Sequence, residues 1–312
     1  MDENLISPGV LLLLYSVLIL VASLAGGWIP LFVRLTHTRM QVATSFVAGL
    51  MLGVGLLHLL PHAWFELRSI DRTAWCLLAG FLVMFFIQRF FHFHHHDVPE
   101  EAPEGDQPHT LADKSAGHLS WSGAALGLTL HTLIDGIALA ASVKAETQAD
   151  GVELLAGFGT FLVVILHKPF DAMAIGTLMA AGGWSKQSRH LVNSAFALAI
   201  PVGVALFHLG ANAYGGSADV FLGGALAFAA GTFLCTAASD LLPELQFHAH
   251  DRGKLSVALI AGLLLAAVIG KFETRGHDHA ERTGTTKTEA HDNDKHDGHD
   301  HNGDKAEPKP VP

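Results

Sequence analysis

Apolar residues fill long stretches of this chain, and short polar segments separate these stretches. Several stretches, such as 40–65 and 190–218, contain no Asp, Glu, Lys or Arg at all. A helix crosses the hydrocarbon core of a bilayer with about 20 consecutive apolar residues. The pattern therefore predicts eight membrane-spanning helices, near residues 9–33, 41–64, 73–91, 119–143, 154–181, 190–213, 219–243 and 254–272.

The chain is predicted to be an all-α polytopic membrane protein whose spans form one domain over residues 1–272. It starts Met1-Asp2-Glu3, without a basic segment before the first apolar stretch, so we expect a retained helix and not a signal peptide. Hydrophobic residues make up 50% of the chain and charged residues 15%, against about 25% charged residues in soluble domains. This composition excludes a soluble protein, and the net charge of −10 argues against nucleic acid as a partner.

The basic residues in the loops predict the orientation, because short cytoplasmic loops are enriched in Lys and Arg. The loops after the odd-numbered spans carry eight basic residues, and the opposite side carries five. With eight spans, this bias predicts that both termini lie outside. A short chain without a targeting segment is typical of a bacterial inner membrane, which is the expected location.

Two polar segments are rich in histidine: residues 92–118, between the third and fourth spans, and residues 273–312, after the last span. Together they hold twelve of the 21 histidines. Their low apolar content predicts disorder without a ligand, with the loop inside and the tail outside. We interpret them either as solvating segments or as tethers that collect metal ions. The residues predicted to collect metal weakly are His94, His95, His96, His277, His279, His296, His299 and His301.

An internal repeat relates the second span to the seventh. Residues 46–62 align without gaps to residues 228–244, at an offset of 182, and seven of the 17 positions are identical. The same offset continues into the next helix, where Gly80 matches Gly262. Helices five positions apart in an up-and-down chain run in opposite directions, so we predict an inverted 3+2+3 repeat. Secondary transporters use this architecture, with the substrate site near the midplane at the repeat interface.

The two central spans each carry a histidine followed four residues later by an aspartate: His131 and Asp135, then His167 and Asp171. Residues four apart share one face of a helix, so two antiparallel helices can combine two imidazole nitrogens and two carboxylate oxygens. This donor set suits Zn²⁺, Fe²⁺ or Mn²⁺. A charge at the centre of a span costs roughly 3 kcal/mol, and Lys168 adds a third charge that must be compensated. These four His and Asp residues are the predicted ligands of one metal ion at the midplane.

A buried ion-pair network is a simpler interpretation, in which Lys168 pairs with Asp135 and Asp171 and both histidines are hydrogen-bonded. The network does not explain why the same motif occurs in two consecutive helices, so we favour the metal site. Pro169 supports this choice, because it removes a backbone hydrogen bond and loosens the helix beside the predicted ligands.

With these motifs the chain resembles the ZIP (Zrt/Irt-like) family of divalent metal transporters over residues 9–272. The resemblance rests on eight spans, outside termini, a histidine-rich loop after the third span, and motifs that begin at His58 (HLLPHA), His131 (HTLIDG), His167 (HKPFD) and Asp240 (DLLPE). It implies uptake of Zn²⁺, or of the related ions Fe²⁺, Mn²⁺ and Cd²⁺, into the cytoplasm. It also implies that the fourth and fifth spans form the metal site.

Departures from the family pattern indicate one bound metal ion and not two. Lys168 stands where relatives usually carry a second carboxylate ligand, as in the His-Lys branch of the family, and Ile200 stands where some members have glutamate. Thr132 stands where many relatives have a ligating asparagine. Lys168 and Thr132 are therefore expected to border the site, with the Lys168 ammonium in place of a second cation.

Four further residues are predicted to lie along the ion pathway. His58 and His62 in the second span correspond through the repeat to Asp240 and Glu244 in the seventh, and both pairs flank Leu-Leu-Pro. We interpret them as way stations at the two mouths of the pathway or as hydrogen-bonded packing residues.

Three classes of function are compatible with some of these features, and a ZIP-type importer is the preferred hypothesis. A cation-diffusion-type exporter also pairs such motifs, but six spans and a folded C-terminal domain are then expected. An intramembrane metallo-hydrolase would need an open metal position and a general base, for instance Asp240, and a haem protein would need facing histidines without carboxylates. The preferred hypothesis predicts no enzymatic activity and no prosthetic group. Its partners are the metal ion and the lipid bilayer, and it leaves a homodimer open.

Overall fold

A computed structural model describes residues 7–27, 37–91, 111–149, 155–214, 218–247 and 252–289, and this part of the chain is almost entirely helical. Eight of its helices are long and apolar enough to span a membrane. In chain order they are α1 (Pro8–Gly26), α2 (His37–Val54, a π-helical turn at Gly55–Leu59, and Leu60–Leu67), α3 (Ile70–Phe91), α4 (Leu111–Ala149), α5 (Phe158–Ala181), α6 (Lys186–Ala197 and Ala199–Tyr214), α7 (Ala218–Phe247) and α8 (Arg252–Glu289).

The predicted fold class is confirmed, since the described residues contain no strand and form eight candidate spans. Two helices extend furthest beyond their predicted bounds. α4 begins at Leu111, inside the loop expected to be disordered, and α8 continues to Glu289, inside the tail expected to be disordered. Neither helix contains a proline, so the backbone hydrogen bonds can continue where the apolar stretch stops. Both helices therefore extend beyond the spans that the apolar pattern marks.

Large apolar side chains cover the outside of the bundle. Leu13 in α1, Trp75 in α3 and Leu264 in α8 are 65%, 71% and 59% exposed. Contiguous apolar surface of this kind is unfavourable in water and marks a region that contacts a membrane. The arrangement thus agrees with helices surrounded by lipid.

The regular helix of α2 is interrupted just before Pro61. Because proline has no N–H, the carbonyl of Leu57 cannot receive the usual hydrogen bond from the residue four positions later. The backbone forms a π-helical turn at Gly55–Leu59, in which the N–H of Leu60 donates to the carbonyl of Gly55. Such turns are rare and often occur at functional sites.

Two helix pairs, α2 with α8 and α3 with α7, are in very close contact. Four glycines make this possible, because each lies against a backbone carbonyl of the partner helix where a Cβ atom would clash. These contacts are Gly49–Leu259, Gly231–Leu77, Gly80–Phe228 and Gly262–Phe46. The repeat offset of 182 relates these contacts in pairs. Gly49 and Leu259 correspond to Gly231 and Leu77, and Gly80 and Phe228 correspond to Gly262 and Phe46. The complete inverted 3+2+3 repeat stays a prediction.

The remaining helices form a second set of close pairs. α1 packs on α5, with Gly26 against Pro169, and α4 packs on α6, with Gly203 against Leu133. We call α1, α4, α5 and α6 the central group, because it carries both His-Asp motifs, and α2, α3, α7 and α8 the flanking group. The two groups meet mainly where α7 and α3 contact α4 and where α2 contacts α5.

Substitution of the contact glycines should reveal how closely the two halves correspond. Gly231→Ala is expected to destabilise the protein by about 1–3 kcal/mol, because the added methyl group would press on the carbonyl of Leu77. If the halves are related as predicted, Gly49→Ala should destabilise it by a similar amount. Gly176→Ala is the control, since no atom lies within 4 Å of the added carbon. Thermal unfolding in detergent measures all three variants, and unchanged stability of Gly231→Ala would contradict the packing described.

Candidate metal centre

α4 and α5 bring the two predicted motifs together inside the bundle. His131 and Asp135 lie one turn apart on α4, and His167 and Asp171 lie one turn apart on α5. One potential ligand atom from each residue lies within 4.8 Å of all the others. In the described part of the chain, no other set of three or more His, Cys, Asp or Glu side chains meets this criterion. We call these four residues the four-residue cluster.

The geometry of the four-residue cluster centres on one oxygen. Oδ2 of Asp135 lies 3.2 Å from Nε2 of His167 and 3.6 Å from Nε2 of His131. Oδ2 of Asp171 lies 3.8 Å from Nε2 of His167. Ligands about 2.1 Å from a tetrahedral ion are about 3.4 Å from one another, so these separations match a single ion. All four side chains are buried.

A backbone contact determines which nitrogen of His167 carries the proton. Nδ1 lies 2.9 Å from the carbonyl oxygen of Val163, and because a carbonyl can only accept, Nδ1 must donate. In the neutral ring, Nε2 then presents a lone pair, and it faces the Asp135 carboxylate at 3.2 Å. Either a metal ion between these two atoms or a proton on Nε2 supplies the positive charge that makes this contact favourable. A backbone carbonyl commonly orients a metal-binding histidine in this way.

Two further atoms of the four-residue cluster are not satisfied by the protein. Nδ1 of His131 and Oδ1 of Asp135 are buried and have no hydrogen-bond partner among the described residues. Leaving a buried polar atom unpaired costs roughly 1–3 kcal/mol. The cluster therefore has two polar atoms that its described protein neighbours do not bind, as expected of a site that receives a cation.

Lys168 lies at the centre of the same site and is fully buried. Its Nζ donates to Oδ2 of Asp135 at 2.8 Å and to Oδ2 of Asp171 at 3.0 Å. The ammonium also lies 5.4 Å from the centre of the Phe196 ring, at cation–π distance. The ion pairs of the simpler sequence interpretation are thus present, and they use the same two oxygens that face the histidines. Two carboxylates and one ammonium leave a formal charge of −1, which favours a further cation.

Thr132 is buried beside His131, but its hydroxyl is engaged with its own helix. Oγ1 donates to the carbonyl of Leu128 at 2.7 Å, so only the oxygen lone pairs are free to face the site. This agrees with a residue that borders the site.

His58 and His62, two of the four residues predicted for the pathway, are not part of the four-residue cluster. His58 contacts Glu146, with 2.8 Å between Nε2 and Oε1, and the ring of His62 lies 5.0 Å from the ring of His58. The side chains of Asp240 and Glu244 lie outside those that the structure describes. The same holds for the histidines predicted to collect metal, namely His94, His95, His96, His277, His279, His296, His299 and His301.

Glu146 is a functional candidate that the sequence motifs do not predict. The fourth span was predicted to end at residue 143, so this carboxylate was expected in a loop. The structure buries it, together with Ser142 one turn earlier. The sequence does contain one indication of a special role, because Glu146 is the only acidic residue among residues 136–149.

Comparison with known proteins agrees with this geometry. The family model described as ZIP Zinc transporter matches residues 10–123 and 119–270. The chain is 28% identical to "Zinc transporter ZIP9-A" of Xenopus laevis, in an alignment that covers 85% of this chain and 97% of that protein. It is 23% identical to "Zinc transporter 3" of Arabidopsis thaliana, covering 81% and 82% of the two chains. It is also 23% identical to "Fe(2+) transport protein 2" of Oryza sativa subsp. japonica, covering 81% and 83%.

These relatives come from a frog and two plants. They agree with a membrane location, but the bacterial inner membrane expected from the sequence finds no support in them. The short length and lack of a targeting segment were too general to distinguish between membranes.

Replacement of Lys168 should show how the charges of the site are balanced. Without metal, Lys168→Met leaves two buried carboxylates without their shared cation and is expected to destabilise the protein by about 3–5 kcal/mol. Added Zn²⁺ should then stabilise the variant more than the unmodified protein, because one cation replaces the other. Lys186→Met, at an exposed lysine, is the control. Thermal unfolding with and without Zn²⁺ tests this, and equal stabilisation of both proteins would contradict it.

Proposed function

The chain belongs to the ZIP zinc transporter family, and on this premise we propose that it moves divalent transition-metal ions, chiefly Zn²⁺, into the cytoplasm. The transported ion binds at one site whose ligands are His131, Asp135, His167 and Asp171. The observation that carries the proposal is the convergence of four ligand atoms within 4.8 Å inside the membrane-spanning bundle. The metal is the substrate, and no prosthetic group is part of the proposal.

The donor set supports a group of metals and not one alone. Two imidazole nitrogens and two carboxylate oxygens are ligands that Zn²⁺, Fe²⁺ and Mn²⁺ accept. The relatives named above are called zinc transporters and an Fe(2+) transport protein. Zn²⁺ is the preferred substrate because most of these names refer to zinc, with Fe²⁺, Mn²⁺ and Cd²⁺ as competitors.

The chemistry of the neighbouring residues supports a single ion. Lys168 already places a positive charge on both carboxylates, and Ile200 is a buried apolar residue where a further carboxylate would be needed. One divalent ion brings the site to a formal charge of about +1. A second ion close to the first would face strong repulsion, which the low dielectric of the bundle increases.

The direction of transport follows from the proposed orientation. The loops after α1, α3, α5 and α7 carry more basic residues, which supports a cytoplasmic position for them and an outside position for both termini. In this orientation His58 and His62 lie toward the outer mouth and Asp240 and Glu244 toward the inner mouth. We propose these four residues as way stations.

The two alternative functions receive less support. A cation-diffusion-type exporter would have six spans, whereas the described residues of this chain form eight candidate spans. An intramembrane hydrolase would have to admit a substrate larger than an ion, yet His131, Asp135 and Lys168 are 2%, 0% and 0% exposed. A transporter, which only has to admit the ion, agrees better with this burial.

Loss of a ligand should abolish transport. His131→Ala is expected to lower zinc affinity by orders of magnitude and to reduce uptake to background, because three ligands and an unbalanced charge remain. Thr129→Ala is the matched control, since that hydroxyl only donates to the Ala125 carbonyl of its own helix. Zinc uptake into proteoliposomes measures both variants, after equal insertion has been verified. Normal uptake by His131→Ala would remove this residue from the site.

The number of bound ions tests the role of Lys168. A crystal soaked in Zn²⁺ or Cd²⁺ should show one anomalous peak at the four-residue cluster. Lys168→Glu is expected to bind metal more tightly, to admit a second ion, and to transport more slowly, because a site that binds too tightly releases its ion slowly. Two peaks within about 5 Å of the histidines in the unmodified protein would contradict the single-ion proposal.

A further inference from the structure

A second buried polar cluster lies on α4 beyond the metal site. It contains Glu146, which follows Asp135 by about 16 Å along the helix axis at 1.5 Å per residue. Glu146 is 6% exposed, and its partner His58 on α2 is 4% exposed. A buried carboxylate and a buried imidazole from distant parts of the sequence require an explanation.

All of the hydrogen bonds to this carboxylate are well formed. Oε1 accepts from Nε2 of His58 at 2.8 Å and from Oγ of Ser142 at 2.8 Å. Oε2 accepts from the backbone N–H of Gly157 at 2.8 Å. Oγ1 of Thr160 in turn donates to Oγ of Ser142 at 3.0 Å. Because the carboxylate is already engaged on both oxygens, it is less suited to a metal than the four-residue cluster.

The partners of the carboxylate come from both helix groups. Ser142, Gly157 and Thr160 belong to α4 and to the start of α5, in the central group. Of the described partners of Glu146, His58 alone comes from the flanking group. The bond between His58 and Glu146 therefore ties α2 to the α4–α5 hairpin, across a boundary between the two groups.

Buried apolar side chains lie along α4 and α5 between this bond and the metal site. Along α4, Leu139 lies between Asp135 and Glu146, and along α5, Val163 and Val164 precede His167. All three apolar residues are 0% exposed. Since the bond joins α2 to these two helices, separation of α2 from them would expose this region to an ion.

We propose that His58 and Glu146 form a latch that holds this end of the pathway closed, and that its opening gives the ion access to the metal site. The proposal rests on the proposed function, because the pathway is defined by the site it reaches. The π-helical turn of α2 contains His58, so the irregular backbone and the latch occur at the same place. A hydrogen bond to a charged partner is strong enough to shift such an equilibrium by roughly ten- to a hundredfold.

Cysteine labelling without metal tests the latch directly. Val164→Cys introduces a thiol between the latch and the metal site, in a chain whose own thiols have been removed by Cys76→Ser and Cys235→Ala. A membrane-impermeant maleimide is applied separately to each face of oriented vesicles. Adding His58→Ala should accelerate labelling roughly ten- to a hundredfold from the face toward which the C-terminal end of α4 points.

Two matched variants separate the latch from general loss of structure. Ser142→Ala removes a hydrogen bond to the same oxygen within α4, so labelling should stay close to that of the parent. His58→Gln keeps an N–H donor at a similar reach and should also label slowly. Size-exclusion elution and thermal unfolding in detergent verify that each variant is folded.

The outcomes are distinct. Labelling of His58→Ala no faster than the parent overturns the latch, and so does equally fast labelling of Ser142→Ala. If His58→Ala weakens zinc binding while labelling stays unchanged, His58 is a metal ligand and the latch is wrong. Failure of the four-residue cluster to bind zinc would overturn the proposed function. The labelling rates would still test the latch, because they are measured without metal.

Discussion

The negative charge of Asp135 is the constraint on which the centre of this molecule depends. A fully buried carboxylate is stable only if cationic or donor groups approach it closely. Here Lys168 and both histidines converge on a single oxygen, and all three groups sit at fixed positions on α4 and α5. These distances determine how the two helices face one another. Gly26 of α1 packs against Pro169 of α5, and Gly203 of α6 packs against Leu133 of α4, so α1 and α6 lie close to these two helices.

Much of this arrangement could be predicted from local rules. Long apolar stretches have one structural solution in a bilayer, so the number of spans followed directly from the sequence. The i,i+4 spacing placed each histidine and aspartate on one helix face, and the structure brings the two faces together. The repeat offset was also informative, because contacts such as Gly49–Leu259 and Gly231–Leu77 follow it. In each case the type and spacing of residues along the chain were sufficient for the prediction.

The features that could not be predicted depend on distant neighbours. His58 and Glu146 are 88 residues apart, and no local pattern indicates that they meet. Hydropathy alone ended the fourth span before Lys144 and Glu146, because two charged residues close together resemble the start of a polar loop. The extra length of α4 and α8 was missed for the same reason, since a helix can continue into water wherever its backbone is uninterrupted. The orientation of His167 depends on the carbonyl of Val163, which composition does not reveal.

The π-helical turn makes the two halves of the molecule unequal. The aligned segments of α2 and α7 have the same number of residues. Among the described residues of the two helices, only α2 contains a π-helical turn, which is wider than a regular turn. A wide turn accommodates about one extra residue, so the side chains after it are rotated by about 100° relative to a regular helix. His58 lies within this turn, so its direction around the helix axis differs from that expected in a strict copy of α7. Equal sequence register and unequal helical phase give one chain two chemically different ends. Pro243 of α7 is the counterpart of Pro61, yet its helix stays regular, so the proline alone does not create that difference.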